Sequence, residues 1–141
     1  NVTVSYNYIF AEGNDYYGLS VWKPMTNLRI HNNTVRRDGD KPSVNWNGRP
    51  AGEMKNNIFH TWANKASLTP DADKNLWLSR SLEAEVFVAP AKGDFHLKST
   101  SPAKNAGLNL GYSSDLDGTT VPQEGTPDIG CHEYRPQKEA D

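Results

Sequence analysis

VTVSYNYI (residues 2–9), LRIHNNTV (28–35) and MKNNIF (54–59) repeat one pattern along the chain. In each copy an apolar residue is followed three positions later by Asn and, two positions after that, by a second apolar residue. Apolar and polar residues alternate within the copies, which predicts β-strands because successive side chains of a strand point to opposite faces. The aligned positions are Val4, Ile30 and Met54; Asn7, Asn33 and Asn57; and Ile9, Val35 and Phe59.

The distance between the copies indicates how these strands are arranged. Copies that lie 26 and 24 residues apart have the length of one coil of a solenoid, in which every coil contributes several short strands. A shorter pair of segments, LSVW (19–22) and SVNW (43–46), recurs 24 residues apart, which aligns Trp22 with Trp46. Frequent Gly, Pro, Asn and Asp, without a 3.6-residue period, argue against helices between residues 1 and 62.

Stacked coils would place Asn7, Asn33 and Asn57 in one column, and two interpretations of that column are open. In the first, the side-chain amides form a ladder of hydrogen bonds within the stack, since each amide supplies two donors and an acceptor. In the second, the asparagines occupy turns because they tolerate left-handed backbone conformations. Both interpretations predict that successive coils lie over one another.

Composition narrows the classes of function. The 141 residues suit one domain, and 15 Lys and Arg against 17 Asp and Glu give a net charge of −2, unlike the basic surface of a nucleic-acid-binding domain. The one cysteine, Cys131, excludes an internal disulfide and the cysteine-rich zinc patterns. Apolar runs are too short to span a membrane, and the start shows no signal-peptide pattern. Because the chain begins within a patterned segment, we expect a missing upstream segment or self-association through the N-terminal coil.

The second half of the chain lacks a clear copy of the pattern. Between residues 63 and 93, LWL (76–78) and VFV (86–88) are short apolar runs that predict strands or an irregular final coil. From residue 94 onward, Gly, Pro, Asn, Asp and Ser predominate, which predicts a long loop laid over the coils. We therefore expect coils in residues 1–93 and a capping tail of the same domain in residues 94–141.

The tail carries a series of short motifs: DFHLK (94–98), SPA (101–103), NAG (105–107), DLDG (115–118) and DIGCHEY (128–134). This series resembles the C-terminal end of secreted bacterial right-handed parallel β-helix proteins. It departs from their pattern at Asn105, where they have Asp, and at Cys131 and His132, where they have Ala and Tyr. The resemblance implies an all-β fold, a right-handed parallel β-helix of about two to three coils whose C-terminal tail wraps around the outside.

The same resemblance implies a function and a location. Such proteins are often polysaccharide lyases, glycoside hydrolases or cell-surface proteins, so we expect a secreted or cell-surface protein with a polysaccharide partner. A lyase or hydrolase acting on an acidic polysaccharide is the first expectation, with catalytic residues in this chain or upstream of it. The alternative is a non-catalytic carbohydrate-binding or structural module, because one fold hosts many functions.

The outward columns of the predicted strands contain the candidate catalytic residues. If Val4 and Ile30 point inward, the neighbouring columns combine Arg29 with Glu53 and His31 with Lys55 at the strand spacing of about 4.8 Å. Arg29 or Lys55 would neutralise a uronate carboxylate, while His31 or Lys55 with a lowered pKa would abstract the adjacent proton. The alternative is an ordinary solvated polar face.

Candidate sugar contacts concentrate in the first 62 residues, where seven Lys and Arg outnumber five Asp and Glu. Aromatic rings cover the apolar faces of sugars and arginines pair with carboxylates. Trp22 and Trp46 could instead stack on each other inside the coil or beneath the tail. The predicted contacts are Tyr16, Tyr17, Trp22, Trp46, Arg36 and Arg49.

Metal and nucleophile chemistry receives little support from the sequence. Asp115, Asp117 and Gly118 resemble part of a calcium loop, but an ordinary turn is the favoured interpretation. We therefore predict no metal-ligand residues and no cofactor, with Ca²⁺ as the alternative. Cys131 and His132 are neighbours in the sequence, so their side chains would point to opposite faces and would not form a nucleophile pair.

Overall fold

The structure is a computed structural model that describes residues 1–13, 17–21, 25–37, 43–46, 52–60 and 71–136. Most of the regular structure in these ranges is β, with one short helix, α1 (Glu83–Val86), and 3₁₀ turns at Arg80–Leu82 and Pro90–Lys92. The strands in the described ranges are β1 (Val2–Ser5), β2 (Tyr8–Ala11), β3 (Leu19–Val21), β4 (Leu28–His31), β5 (Thr34–Arg37), β6 (Val44–Trp46), β7 (Gly52–Lys55), β8 (Ile58–His60), β9 (Asp71–Asp73), β10 (Leu76–Leu78), β11 (Phe87–Ala89) and β12 (Asp94–Leu97). The predicted all-β class agrees with this content.

Three short parallel sheets contain the first ten strands. One has the order β1-β4-β7-β9, the second has the order β2-β5-β8-β10, and the third pairs β3 with β6. The chain thus passes from the first sheet to the second and third and then returns to the first, one strand further along. Segments about 25 residues apart in sequence are neighbours in space.

The register of these sheets confirms the alignment of the three sequence copies. Ile30 pairs with Val4 on one side and Met54 on the other, and Val35 pairs with Ile9 and Phe59 in the same way. These positions face a common apolar interior. The buried members of this core are Val21, Leu28, Ile30, Val35, Val44, Met54 and Phe59.

The asparagine column forms a ladder of hydrogen bonds. The side-chain Oδ1 of Asn33 accepts from the backbone N and from Nδ2 of Asn7, at 3.0 Å each, and Asn57 accepts from Asn33 in the same way. Asn75 continues the column, because its Oδ1 accepts from the backbone N and Nδ2 of Asn57 at 3.0 and 2.8 Å. The ladder interpretation is confirmed.

Strands β9 and β10 form a fourth rung next to β7 and β8, which the repeat interval in the sequence does not predict. Asn75 follows Asn57 by 18 residues rather than 24 to 26, so the repeat interval conceals it. Leu76–Leu78 is a strand of the second sheet, as the apolar run predicts. The repeat therefore continues as far as Asn75, with a shorter interval between its last two copies.

Left-handed backbone conformations occur one residue before each ladder asparagine. Tyr6, Asn32, Asn56 and Lys74 have φ values of 51°, 53°, 61° and 55°. This conformation turns the chain from the first sheet into the second, and Asn adopts it more readily than most residues. In each rung the chain thus turns at the left-handed residue, and the asparagine that follows it forms the ladder.

The predicted alignment of Trp22 with Trp46 is wrong. Strand β6 pairs with β3 at an interval of 25, so Trp46 lies opposite Val21 and Val44 lies opposite Leu19. Val21 and Val44 are buried in the core that Leu19 also contacts. A shift of one residue would turn this apolar set to the other face, so the aliphatic residues decide the register.

The tail packs on the outer face of the second sheet. A second apolar cluster joins Ile58 and Leu78 of that sheet to Phe95, Leu97 and Ile129 of the tail. Asn56 fixes the tail by polar contacts, since its Nδ2 donates to the carbonyl of Leu108 and its Oδ1 accepts from the Leu108 amide, both at 2.8 Å.

The start of the tail differs from the predicted long loop. Residues 94–97 form β12, which pairs antiparallel with β11, so the predicted boundary at residue 93 falls in the turn between these strands. Val86 ends α1, and the strand begins one residue later than predicted, at Phe87.

Among the described residues, no helix is long and apolar enough to cross a membrane.

Candidate functional site

The first sheet brings the predicted catalytic residues together. Arg29 pairs with Glu53 and His31 with Lys55 across the adjacent strands β4 and β7. These four residues, here called the β4–β7 patch, therefore occupy neighbouring positions on the face of the sheet opposite the core. The preceding rung carries Thr3 and Ser5 at the corresponding positions, as the predicted columns require.

Within the β4–β7 patch, His31 has a polar partner at each of its ring nitrogens. Its Nε2 lies 3.0 Å from Glu53 Oε2, and its Nδ1 lies 2.9 Å from the hydroxyl of Tyr112. The residue is only 4% exposed, although it lies on the outer face of the sheet, because the tail covers it. Tyr112 belongs to the tail and covers the imidazole edge-on, with ring centroids 5.8 Å apart.

Burial determines the charge state of His31. Burial lowers the pKa of His31, and the opposing effect of the hydrogen bond to Glu53 is smaller; Lys55 and Arg29 lower this pKa further. A neutral imidazole between a hydroxyl and a carboxylate can accept the proton of the hydroxyl while the carboxylate stabilises the resulting cation. Tyr112, His31 and Glu53 have this arrangement.

The cations of the β4–β7 patch remain accessible. Arg29 is exposed, and Lys55 Nζ lies 3.6 Å from Glu53 Oε1 with its side chain 23% exposed. The next strand, β9, places the exposed Asp73 beside Lys55. An anionic ligand would therefore be attracted to the side of the patch that faces Thr3 and Ser5 rather than to the side that faces β9.

The predicted sugar contacts have different environments. Tyr17 is 38% exposed, and the guanidinium of the buried Arg37 lies 5.2 Å from its ring centroid. Arg36 is engaged under the tail: its Nε donates to Glu83 Oε1 at 2.8 Å, and the guanidinium lies 4.0 Å from the Phe95 ring centroid. The structure does not bring Arg36 to the β4–β7 patch.

Four other predicted contacts fall wholly or partly outside the described residues. Tyr16, Trp22 and Arg49 lie outside them, and Trp46 is described only through its backbone in β6. These residues remain predictions of the sequence. Tyr112, in contrast, was missed, because nothing near residue 112 in the sequence indicates that it returns to a strand 81 residues earlier.

Two carboxylates of the tail, those of Asp115 and Asp128, accept hydrogen bonds from backbone amides. Asp115 Oδ1 accepts from the amides of Asp117 and Thr119 at 2.9 and 2.8 Å, and its Oδ2 accepts from the amide of Glu133 at 2.8 Å. Asp128 accepts from the amides of Asn105 and Tyr134. Residues 115–118 thus form the turn that the sequence predicts. The carboxylates of Asp115 and Asp128 hold the surrounding loops in place by accepting hydrogen bonds from backbone amides.

Cys131 lies among these segments as a buried thiol. Burial raises the pKa of Cys131 to about 12, so the reactive thiolate is not formed near neutral pH. Its neighbour His132 belongs to a different group, since the ligand atoms of His96, Asp117 and His132 all lie within 4.8 Å of one another. That group is the one in the described part of the chain that could hold a metal ion.

Comparisons with models of protein families, with curated proteins and with solved structures gave no match to this chain.

Proposed function

We propose that this chain is part of a right-handed parallel β-helix protein that acts outside the cell on an acidic polysaccharide, with lyase chemistry at the β4–β7 patch. The passage of the chain through three parallel sheets in a constant order supports the helix, and parallel crossovers are right-handed almost without exception. The tail motifs, which resemble those of secreted proteins, support the location.

The observation that carries the proposed function is the Tyr112–His31–Glu53 chain beside Arg29 and Lys55. The half-buried Tyr112 hydroxyl is 2.9 Å from a neutral imidazole whose other nitrogen is held by a carboxylate. General acid–base groups work best when a positioned partner can take or return their proton. The neighbouring cations supply the positive charge that a uronate carboxylate requires.

Lyase chemistry follows from this arrangement. Arg29 and Lys55 neutralise the uronate carboxylate, which acidifies the proton on the adjacent carbon. Tyr112 passes its own proton to His31 and accepts the carbon-bound proton, while the bond from the β-carbon to the glycosidic oxygen breaks. Tyr112 then donates that proton to the leaving oxygen, and His31 returns the proton it holds to Tyr112. The products are an unsaturated sugar end and a new reducing end.

A second candidate is a non-catalytic module that binds the same acidic glycans. The contacts of His31 favour this candidate, since each of its ring nitrogens already has a hydrogen-bond partner within 3.0 Å. In that case the Tyr112–His31–Glu53 chain holds the tail on β4, and only Arg29 and Lys55 contact the glycan.

One experiment separates these candidates. The protein is incubated with polygalacturonate, with alginate and with neutral dextran, while binding is measured by titration calorimetry and products by ultraviolet absorbance and reducing-end assay. For the lyase we expect ultraviolet-absorbing ends from a polyuronate and none from dextran. Tyr112→Phe should lower turnover by about 100-fold or more with little change in affinity.

The cations provide a matched comparison. Lys55→Ala should weaken binding of the polyuronate, whereas Lys92→Ala, which removes an exposed lysine of the Pro90–Lys92 turn, should not. Binding without product, unaffected by Tyr112→Phe, would establish the binding module. Reducing ends without ultraviolet absorbance would indicate a hydrolase, and absence of binding to both polyuronates would exclude the acidic-glycan proposal.

A further inference from the structure

Three side chains converge at one point of the tail, away from the β4–β7 patch. His96 Nε2 lies 2.6 Å from Asp117 Oδ2, and His132 Nδ1 lies 3.0 Å from the same oxygen. The two imidazole rings are 4.2 Å apart between centroids. Each of these atoms can carry a lone pair, so a stable arrangement requires a positive centre between them, either a proton or a metal ion.

The orientation of His96 is suited to a metal ligand. Its Nδ1 lies 2.7 Å from Asp94 Oδ1, which also accepts the His96 backbone amide at 3.1 Å. The Asp94 carboxylate can keep a proton on Nδ1 when Nε2 gives up its contact with Asp117 and directs its lone pair at a metal ion. Metal-binding histidines have this second partner in most known sites.

His132 supplies an independent observation. The residue is 8% exposed, and its Nδ1 is buried without an aligned hydrogen bond from any described residue, although Asp117 Oδ2 is close. A buried polar nitrogen without a hydrogen bond is costly. A cation held between His132 and Asp117 would remove that cost.

Little movement is needed to admit an ion. Bonds of about 2.0–2.1 Å in a tetrahedral zinc site separate ligand atoms by about 3.3 Å. His96 Nε2 and His132 Nδ1 would have to retreat from Asp117 Oδ2 by about 0.7 and 0.3 Å to reach that separation. The two ring nitrogens, which lie within 4.8 Å of each other, would adjust to the same separation through rotations of the two imidazole side chains.

The backbone around the group is already fixed by Asp115. The Oδ1 atom of Asp115 accepts hydrogen bonds from the backbone amides of Asp117 and Thr119. Its Oδ2 atom accepts one from the backbone amide of Glu133. The two loops that carry Asp117 and His132 are therefore tied to the same side chain. Ligands held in this way lose little conformational entropy when an ion binds.

The group is open to solvent on one side. The side chains of His96 and Asp117 are 45% and 35% exposed. A cavity of about 340 Å³ lies against His96 and His132 and is lined also by Tyr8 and Leu116. An ion could enter here and keep a coordination position for water or another ligand, as three-ligand zinc sites do.

We infer that His96, Asp117 and His132 form a zinc-binding site with one open coordination position, oriented by Asp94. Two imidazoles and one carboxylate match the ligands that zinc prefers, whereas calcium and magnesium prefer oxygen ligands. The site joins β12 to two loops of the tail, so the bound ion stabilises the tail and presents a Lewis acid at the cavity.

The test uses tag-free protein stripped with a chelator. Calorimetric titration with Zn²⁺ should show one ion per chain and Co²⁺ should give the intense visible absorption of a tetrahedral site, whereas Ca²⁺ should produce neither. Zn²⁺ should also raise the unfolding temperature, since it binds only the folded chain. Absence of Zn²⁺ binding by the folded wild type would overturn the inference.

Variants distinguish this site from surface binding. Asp117→Asn should abolish the Co²⁺ absorption, and Asp94→Asn should weaken Zn²⁺ binding by about 10–100-fold because Asp94 only positions His96. Glu124→Gln removes an exposed carboxylate outside the group and should leave binding unchanged. Equal Zn²⁺ affinity in wild type and Asp117→Asn would show that the ion is held elsewhere and would exclude the site.

Discussion

Asn57 accepts two hydrogen bonds from Asn33 through one oxygen, from the backbone amide and from the side-chain amide, each at 3.0 Å. Its own Nδ2 donates to the carbonyl of Ile30 at 2.8 Å and to Oδ1 of Asn75 at the same distance. A single fully buried side chain therefore connects three successive rungs of the stack.

Asn57→Ala should lower the free energy of unfolding by about 3–5 kcal/mol, because several buried groups lose their partners together. Asn7→Ala, at the exposed end of the ladder, should cost about 1 kcal/mol. Urea unfolding of both variants measures the difference. Equal losses at the two positions would mean that the ladder contributes no more inside the stack than at its end.

Gly130 lies where the tail packs tightly against the second sheet. It has φ +99°, and a Cβ there would lie 2.7 Å from Ile58 Cδ1 and 2.9 Å from Thr34 Oγ1. Gly130→Ala therefore combines a strained backbone with a steric clash and should destabilise the protein by about 3 kcal/mol or more. Limited proteolysis should then cut the tail faster than in the wild type.

Gly111→Ala is the matched control, since Gly111 has φ +85° with open space around the position of a Cβ. It should cost only the backbone strain, about 1–2 kcal/mol. If urea unfolding gives the same loss for both variants, the contact between Gly130 and the sheet does not secure the tail.

The repeated part of the fold could be predicted from the sequence because its contacts recur at a fixed interval. The pairings of Ile30 with Met54 and of Arg29 with Glu53 follow from that interval alone. The alignment of the tryptophans does not predict the register of β3 and β6, because the burial of the aliphatic residues fixes it. The fourth rung was missed because its interval is shorter.

The candidate site could be predicted only in part, for a related reason. The β4–β7 patch lies within the repeat, so its members were found. The position of Tyr112 on His31 depends on how a long non-repeating tail crosses the sheets, and no local pattern encodes that path. His96 and His132 are likewise adjacent only because the tail folds back on itself.

The ion pair between Arg36 and Glu83 lies under the tail, with the side chains 11% and 10% exposed. Glu83→Leu leaves the guanidinium buried without its carboxylate and should cost about 3–5 kcal/mol. Replacing both residues, by Arg36→Met and Glu83→Leu, should cost less than the sum of the single changes. A double-mutant cycle by urea unfolding checks this, and additive losses would show that the two charges do not stabilise each other.

Glu133 should make stability depend on pH. Burial raises the pKa of Glu133 from 4.5 to about 7, despite hydrogen bonds from two backbone amides. Between these values the folded chain holds a proton that the unfolded chain has released, so the free energy of unfolding should fall as the pH rises from 4.5 to about 7.

Comparison with Glu133→Gln isolates this contribution, because glutamine does not titrate. Urea midpoints measured across the window should decline more steeply in the wild type than in the variant. Glu85→Gln, which changes an exposed carboxylate of α1, should keep the wild-type slope. Parallel curves for wild type and Glu133→Gln would mean that Glu133 is ionised throughout the window.

The edge formed by β1 and β2 should promote self-association. Within the described residues β1 pairs only with β4 and β2 only with β5, and nothing donates to Oδ1 of Asn7, the end of the ladder. Val2 and Phe10 are 42% and 44% exposed on these strands. An open edge with apolar side chains is a template for another strand.

Sedimentation velocity at increasing protein concentration should therefore detect association, and Val2→Lys combined with Phe10→Lys should suppress it, because lysines on an edge strand oppose pairing. Leu116→Lys is the control of similar exposure, since Leu116 is 46% exposed in the tail. If Leu116→Lys suppresses association as strongly, the contact is a general apolar one and does not use the edge. A wild-type chain that stays monomeric at every concentration would mean that the twist and short length of these strands already protect them.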